Sequence, residues 1–258
     1  MISRAELFAG AATYYARHRT DYGSEVVEHI AGELALDAAS RVLDLGCGPG
    51  TLAIPLAARA GEVVAVDPSE EMLTEGARHG VPGIRWVRGD SSMLDELPLG
   101  RIDHVVMGRS FHWMDRERVL DDLDRLLPAH GAVVLVGPVH DPEEPPWEPV
   151  AQAVRRDFGL EWRANSESYE QTGRHHDDVL RESPFRRMES RCFTRVIRRS
   201  AEDIVGLQLS FSYSSPARLG DRLPAFTEAL REALAAANPG GADWEEEDVT
   251  DVLIARRP

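Results

Sequence analysis

Short apolar runs alternate with amphipathic stretches over residues 24–137. The apolar runs predict buried β-strands at residues 41–46, 62–67, 84–88, 102–107 and 131–137. The amphipathic stretches, whose apolar positions recur at helical spacing, predict helices at residues 24–36, 51–60, 69–79 and 116–127. Strands that alternate with helices are typical of βαβ units, so this part of the chain predicts a parallel sheet with helices on both faces.

The pattern changes after residue 137. Residues 138–149 are rich in Pro and Glu and predict a loop, and residues 150–185 are irregularly helical and predict a lid. Further on we expect strands at residues 188–198 and 249–256 and helices at 201–211 and 222–237. The chain therefore predicts an α/β, Rossmann-like, seven-stranded, mostly parallel sheet with a small helical lid inserted after the fifth strand.

We expect one domain of 258 residues, a length that suits a single α/β core. Within it we distinguish an N-terminal helical cap, a core, a lid and a C-terminal part that completes the sheet, at residues 1–37, 38–137, 138–187 and 188–258. The acidic run at residues 245–248 is interpreted as a solvated charge cluster before the last strand.

A glycine-rich turn ends the first predicted strand, in the sequence Asp44-Leu-Gly46-Cys-Gly48-Pro-Gly50. Glycines at such a turn let a ligand approach backbone N–H groups closely. A dinucleotide fingerprint G-x-G-x-x-G would need glycine at position 51, where Thr51 stands. The acid before the turn would repel a pyrophosphate, whereas it would attract a ligand that carries an ammonium and a sulfonium group.

Two further acids close the next strands. Asp67 ends the second strand, where a carboxylate can accept both hydroxyls of a ribose. Asp90 follows the third strand and can accept a hydrogen bond from an adenine amino group, with Ser91 beside it. Either acid taken alone could instead be a helix N-cap, so the prediction depends on the three acids together.

The amino-acid composition limits the classes of partner and chemistry that the chain can have. The net charge is −15 and no basic block is present, which disfavours a nucleic-acid partner. All 29 basic residues are arginine, which excludes chemistry that depends on a lysine amine. The cysteines, Cys47 and Cys192, have no metal-ligand spacing, so we expect no metal and a reducing cytoplasm. We expect neither a signal peptide nor a membrane span.

These motifs resemble those of class I S-adenosylmethionine (SAM)-dependent methyltransferases, in the small-molecule branch that includes ubiquinone/menaquinone-type and trans-aconitate-type enzymes. The resemblance covers residues 14–137 and lies in DLGCGPG, VVAVD, WVRGDSS and the segment from Gly108 to Asp115. Residues 15–22 are similar to a Y-x-x-x-R-P-x-Y-P stretch, from which Thr20 and Gly23 depart. Prolines are usual at these two positions, so the departures affect the expected backbone path of this segment and leave the family resemblance unchanged.

The resemblance implies that SAM is the cofactor, that S-adenosylhomocysteine (SAH) is the product, and that a small molecule accepts the methyl group. It also implies a set of cofactor-binding residues: Tyr15, Arg19, Asp44, Gly46, Gly48, Gly50, Asp67, Pro68, Met72, Asp90, Ser91 and Arg109. Among these, Arg19 would pair with the cofactor carboxylate and Met72 would pack on the adenine.

A general base, where the acceptor needs one, is expected at the C-terminal rim of the sheet. His112 follows the fourth strand and is the first candidate, with packing beside the cofactor as its alternative role. His140 follows the fifth strand and is the second, with a solvated loop histidine as the alternative. His175 and His176 fall in the predicted lid and are expected to be exposed.

Two other functions stay open at this point. A SAM-binding protein that does not methylate, such as a cyclase or a regulatory module, would carry the same motifs, since fold does not fix function. An NAD-dependent oxidoreductase is disfavoured by the glycine spacing and by Asp44. The sequence leaves open whether the chain is a monomer or a homodimer. A role in bacterial small-molecule biosynthesis is an expectation from the size of the chain, its charge and the expected lid.

Overall fold

A computed structural model of the chain describes residues 8–138, 143–160 and 173–258. The described residues contain seven strands, which are β1 Arg41–Leu45, β2 Glu62–Asp67, β3 Ile84–Arg88, β4 His104–Gly108, β5 Ala132–Pro138, β6 Arg187–Arg199 and β7 Trp244–Arg256. The same residues form ten α-helices, which are α1 Ala12–His18, α2 Ser24–Glu33, α3 Ala53–Leu56, α4 Glu70–Ala77, α5 Arg116–Leu126, α6 Glu148–Asp157, α7 His176–Arg181, α8 Ala201–Leu209, α9 Pro216–Leu219 and α10 Leu223–Ala237.

The strands form one sheet in the order β3-β2-β1-β4-β5-β7-β6. The pairs β1–β2, β1–β4, β2–β3 and β4–β5 are parallel, and β7 is antiparallel to β5. The predicted seven-stranded, mostly parallel sheet is therefore confirmed. The chain order reverses between β1 and β4, and in open α/β sheets this reversal places the ligand site at the carboxyl ends of those strands.

Side chains alternate between the two faces of the central strands, as a strand period of two requires. On one face Leu43, Val64 and Val105 pack with residues of α5 and α7, and on the other Val42 and Val63 pack with residues of α2 and α3. These strand residues are fully buried. Burial on both faces makes the central strands a rigid base for the loops at their carboxyl ends.

The chain divides into two compact units. The sheet unit comprises Asp21–Val139, Ala164–Phe193 and Thr250–Pro258, and the helical unit comprises Met1–Thr20, His140–Arg163 and Thr194–Val249. The lid expected at residues 138–187 coincides with neither unit, because its residues are shared between the two. The helical unit has an apolar core of its own, built around Trp147, Ile204 and Phe226.

Two predicted elements differ from the structure. The helix expected at residues 51–60 is only the single turn α3, within which Pro55 has no N–H to donate. The last strand begins at Trp244 instead of residue 249, so the acidic run expected to be solvated belongs to β7. Within that run Glu246 is buried and pairs with Arg199, which corrects the interpretation of residues 245–248.

None of the helices that the structure describes has both the length and the apolar character needed to span a membrane.

Candidate active site

The glycine-rich turn lies directly after β1 and is fastened to β2. The N–H groups of Gly46 and Cys47 both donate to the carbonyl of Val66, at 2.8 and 3.0 Å. Gly46, Gly48 and Gly50 have φ angles of 75°, 55° and 88°, which are in the region that favours glycine. A Cβ on Gly46 would lie 2.5 Å from the Cβ of Ser110. The turn therefore needs glycine for its backbone angle and for close packing.

Asp44 is almost completely buried on β1, with 1% of its surface exposed. Its Oδ2 has no hydrogen-bond donor among the described residues. Burial raises the pKa of Asp44 to about 7, the backbone N–H of Ala53 acts in the opposite direction, and the charge of Asp67 raises it further. A buried acceptor of this kind is stabilised by a cation, so an ammonium-bearing ligand fits the carboxylate.

Asp67, at the end of β2, uses both carboxylate oxygens to hold backbone. Oδ2 accepts from the N–H of Gly48 at 2.9 Å, and Oδ1 accepts from the N–H of Ser69 at 2.8 Å. Burial raises the pKa of Asp67, and these two hydrogen bonds partly counteract it. The acid that the sequence assigns to ribose therefore also fixes the glycine turn.

Asp90 lies after β3 and caps a short 3₁₀ turn at Ser91–Met93. Its Oδ1 accepts from the N–H of Ser92 at 2.8 Å and from the hydroxyl of Ser92 at 2.5 Å. The alternative role foreseen for this acid, an N-cap, is thus present in the structure. Ser91 is buried beside it. A hydrogen bond from adenine to Asp90 stays a prediction.

Residues that follow Asp67 form the start of α4. Pro68 leads into Ser69, which caps the helix by accepting from the N–H of Met72 at 3.4 Å. Met72 is buried, with 4% of its surface exposed. Its packing against an adenine ring stays a prediction.

Cys47 lies inside the glycine turn and is buried. Burial raises the pKa of its thiol well above the usual value, and the charges of Asp44 and Asp67 add to the effect. The thiol is therefore protonated at neutral pH, and a nucleophilic role does not fit.

The loop after β4 contains a strained residue next to the site. Arg109 has a φ of 53°, a conformation that residues other than glycine rarely adopt and that is concentrated at functional sites. Its N–H donates to the carbonyl of Val136 at 2.8 Å, and its guanidinium lies 4.7 Å from the ring centre of Tyr22. Ser110 donates from its hydroxyl to the carbonyl of Leu45 at 2.7 Å, which ties this loop to the end of β1.

His112 lies in the same loop, in a 3₁₀ turn at Phe111–Trp113. The residues on either side of this turn, Ser110 and Met114, both lie within 3.4 Å of the position that a Cβ on Gly46 would occupy. The half-buried His112 ring is 5.1 Å from the Trp113 ring. His112 is therefore carried by a loop that packs on the glycine turn. His140, the second candidate base, lies outside the described residues.

Tyr15 and Arg19 belong to the helical unit. The Arg19 guanidinium lies 5.1 Å from the ring centre of Tyr15 and 4.1 Å from that of Phe211. Its Nε donates to the hydroxyl of Ser210 at 2.9 Å. The roles predicted for Tyr15 and Arg19 in cofactor binding stay predictions.

The sequence missed one residue that lies against the His112 loop. His176 was expected to be exposed in a lid, but it is half-buried, with its ring centre 5.1 Å from that of Phe111 and 6.4 Å from that of His112. Sixty-four residues separate it from His112 in the chain, so no local sequence pattern indicates the contact. His175, in contrast, is exposed as expected.

The chain is similar in sequence to known methyltransferases. Residues 42–131 match the family described as a methyltransferase domain. An uncharacterized methyltransferase of Mycobacterium tuberculosis is 35% identical over 136 residues, which are 52% of this chain and 53% of the relative. A trans-aconitate 2-methyltransferase of Azoarcus sp. is 31% identical over 121 residues, 46% of this chain and 47% of the relative. The chain thus spans about half the length of the curated relatives it matches.

Solved structures share the fold over nearly the whole chain. A candidate type II methyltransferase from Anaeromyxobacter dehalogenans has a TM-score of 0.62 and 21% identity, over 93% of this chain and 97% of its own. A SAM-dependent methyltransferase from Thiobacillus denitrificans, solved in complex with SAH, has a TM-score of 0.53 and 16% identity, over 95% and 96%. Residues 42–131 thus match a methyltransferase domain, and the fold of the chain is similar to that of SAM-dependent methyltransferases.

Proposed function

We propose that the chain binds SAM at the carboxyl ends of β1 and β2 and transfers its methyl group to a small-molecule acceptor. The observation that carries the proposal is Asp44, a buried carboxylate with an oxygen that has no donor among the described residues. It lies beside the turn in which Gly46, Gly48 and Gly50 have positive φ angles, a conformation that favours glycine. A cationic, adenosyl-bearing ligand suits this combination, whereas the diphosphate of a dinucleotide would be repelled.

Each group at the site has a distinct task in this proposal. Asp44 attracts the ammonium group of the cofactor, the turn at Gly46, Gly48 and Gly50 admits the methionine part, and Asp67 accepts from the ribose hydroxyls. Pro68, Met72, Asp90 and Ser91 surround the adenine, and Arg109, Tyr15 and Arg19 contribute further contacts. The cofactor supplies an electrophilic methyl group on its sulfonium.

The protein contributes position and proton transfer to the reaction. Aligning the acceptor atom with the methyl group can by itself lower the barrier by several kcal/mol. His112 is the proposed general base, since it follows β4 on the loop that packs on the glycine turn. A base that removes a proton from a hydroxyl, amine or carbon acid would leave the acceptor able to attack.

A small organic molecule is the proposed acceptor class, in a bacterial biosynthetic pathway. Support comes from two relatives that are named trans-aconitate 2-methyltransferase, since trans-aconitate is a small organic acid. The net charge of −15 disfavours nucleic acid as the acceptor. Both cysteines are free, as expected in the cytoplasm, and we propose that the chain works there as a monomer or homodimer.

Calorimetry and label transfer test this proposal in two steps. Titration with SAM, SAH and NAD should give binding of the first two and none of NAD. Tritiated methyl-SAM incubated with trans-aconitate, with an ultrafiltered small-molecule extract and with tRNA should label a small molecule and leave the tRNA unlabelled. His112→Ala should lose turnover at unchanged SAH affinity, and His79→Ala, which alters an exposed histidine, should change neither.

Two results would overturn the proposal. Preferred binding of NAD would favour an oxidoreductase. Tight binding of SAM without labelling of any small molecule would favour the SAM-binding protein that does not methylate.

A further inference from the structure

Residues 173–181 lie against the loop that carries His112. The ring of His176 meets Phe111 edge-on at 5.1 Å and lies nearly parallel to the ring of His112, at 6.4 Å and 21°. Arg116, at the start of α5, approaches Nδ1 of His176 at 3.2 Å and donates to the carbonyl of Arg174 at 2.8 Å. One short segment thus contacts both the candidate base and the helix that follows it.

The contact with Arg116 fixes the protonation of the His176 ring. A guanidinium has donors but no acceptor, so Nδ1 must be the acceptor and the ring proton must lie on Nε2. Arg116 is buried, with 8% of its surface exposed, so water screens its charge poorly. The neutral Nε2–H tautomer is therefore the form of His176 that this environment stabilises.

Ion pairs hold the same segment in place. Arg174 pairs with Glu117 on α5 and with Glu182 just after α7, the latter at 2.6 Å. His176 itself begins α7, whose residues Val179 and Leu180 are buried in the core of the sheet unit. The ring of His176 is thus held from its backbone side by the core and from its Nδ1 side by Arg116.

We propose that His176, oriented by Arg116, is a positioning residue for His112. Its ring lies against that of His112 and holds the plane of the His112 ring, so that the candidate base faces the acceptor atom. This proposal rests on the proposed function, because it assigns His176 a part in that reaction. A displacement of about 1 Å at a reacting group can lower the rate about a hundredfold, so a ring that holds the base has a measurable effect.

Substitutions can separate the effect of His176 on turnover from that of His175. His176→Ala removes the ring contact, whereas His176→Asn keeps an acceptor near the position of Nδ1 for Arg116. His175→Ala alters the adjacent, exposed histidine and is the matched control. In the tritiated-methyl assay we expect kcat to fall roughly tenfold or more in His176→Ala, with an unchanged KM for SAM and partial recovery in His176→Asn. The control should retain wild-type kcat.

A second measurement needs no methyl acceptor. Histidine-labelled ¹⁵N NMR of the full chain with SAH reports the tautomer of each ring, and His112→Gln identifies the His112 signals. We expect His176 as the Nε2–H tautomer, and we expect His176→Ala to shift the ring signals of His112 while the thermal unfolding midpoint of the SAH complex stays close to wild type. His175→Ala should leave the His112 signals unchanged.

The two measurements separate the two proposals. Unchanged His112 signals in His176→Ala would overturn the positioning role even in an active methyltransferase. If the wild-type chain transfers no methyl group but the His112 signals do respond to His176, the proposed function fails while the ring contact stands. A fall in kcat in His175→Ala as large as in His176→Ala would also overturn the specific role of His176.

Discussion

The backbone N–H of Gly48 donates a hydrogen bond of 2.9 Å to Oδ2 of Asp67. This bond joins the glycine turn after β1 to the acid at the end of β2, across two strands that are paired in parallel. Since the other oxygen of Asp67 accepts from the N–H of Ser69 at the start of α4, one carboxylate at the end of β2 makes two connections, to the glycine turn and to α4. The shape of the turn and the proposed contact with ribose thus depend on the same side chain.

Replacement of Asp67 by alanine should therefore weaken SAH binding in two ways, through the lost ribose contact and through the loosened turn. Hydrogen bonds to a charged group contribute about 1.5–3 kcal/mol, so we expect a loss of roughly tenfold to a hundredfold in affinity. Calorimetry with SAH measures it. Asp37→Ala is a matched control, because Asp37 is an exposed acid that accepts from the backbone N–H of Ala39 in another turn. Equal affinity in Asp67→Ala and wild type would contradict the assignment.

Gly46 and Gly80 form a second matched pair. Both have positive φ, at 75° and 62°, but an added Cβ would collide with Ser110 only at Gly46, and at Gly80 it would meet nothing within 4 Å. The left-handed conformation costs an alanine about 1–2 kcal/mol at either position, and the collision adds about 1–3 kcal/mol at Gly46. Urea denaturation of Gly46→Ala and Gly80→Ala measures the difference. Equal destabilisation would show that Ser110 yields without strain.

The pKa of Asp44, raised to about 7, makes the stability of the ligand-free protein depend on pH. Because the folded state holds this proton more tightly than the unfolded state, the contribution is complete below about pH 4 and is lost as the pH rises towards 7. The rise from the usual value of 3.8 corresponds to about 4 kcal/mol as an upper bound. Asp44→Asn should remove this slope in denaturation curves. A slope unchanged by the substitution would assign it to another group.

Cofactor binding should have the opposite dependence on pH. An ammonium group favours the charged form of Asp44, so the carboxyl must release its proton when the ligand binds. We expect SAH affinity to rise with pH up to about 7 and then level off, with proton release detectable by calorimetry in buffers of different ionisation enthalpy. Asp44→Asn should bind weakly at every pH, and wild-type affinity that is independent of pH would contradict this role.

The sequence was sufficient to predict the central sheet and the glycine turn at the carboxyl end of β1. Apolar runs predicted β1 to β5, and the pattern further along the chain predicted β6 and β7, with boundaries within a few residues except at the start of β7. The spacing of glycines and acids located the turn after β1. These features depend on residues that are neighbours in the chain or that occupy equivalent strand ends, so a local pattern carries them. The N-cap at Ser69 was predictable for the same reason.

The features that the sequence did not predict depend on partners distant in the chain. The positive φ of Arg109 follows from the packing of its loop, since arginine has no preference for that conformation. The position of His176 is set by Arg116, which lies sixty residues earlier. Glu246 was expected to be solvated because acidic runs usually are, but Arg199 lies opposite it on β6 and keeps it buried.

Two neighbouring ion pairs between β6 and β7 test whether Glu246 is buried by its pairing with Arg199. Arg199 and Glu246 have side chains only 10% and 8% exposed, whereas Arg198 and Glu245 are 70% and 57% exposed. Glu246 also accepts from the indole N–H of Trp147, and Arg199 donates to the carbonyl of His18, so the buried pair connects three parts of the helical unit. Removing one member leaves a buried charge without its partner, which usually costs about 3–5 kcal/mol.

We therefore expect Glu246→Gln to destabilise the chain by about 3 kcal/mol or more and Glu245→Gln by less than about 1 kcal/mol. Chemical denaturation followed by tryptophan fluorescence measures both, because Trp147 is buried in the core of the helical unit and reports its unfolding. The loss in Glu246→Gln should persist in high salt, which screens an exposed pair but scarcely affects a buried one. If the two variants were equally stable, the acidic run would behave as a solvated cluster after all, and the position of β7 would have to be explained by its apolar residues alone.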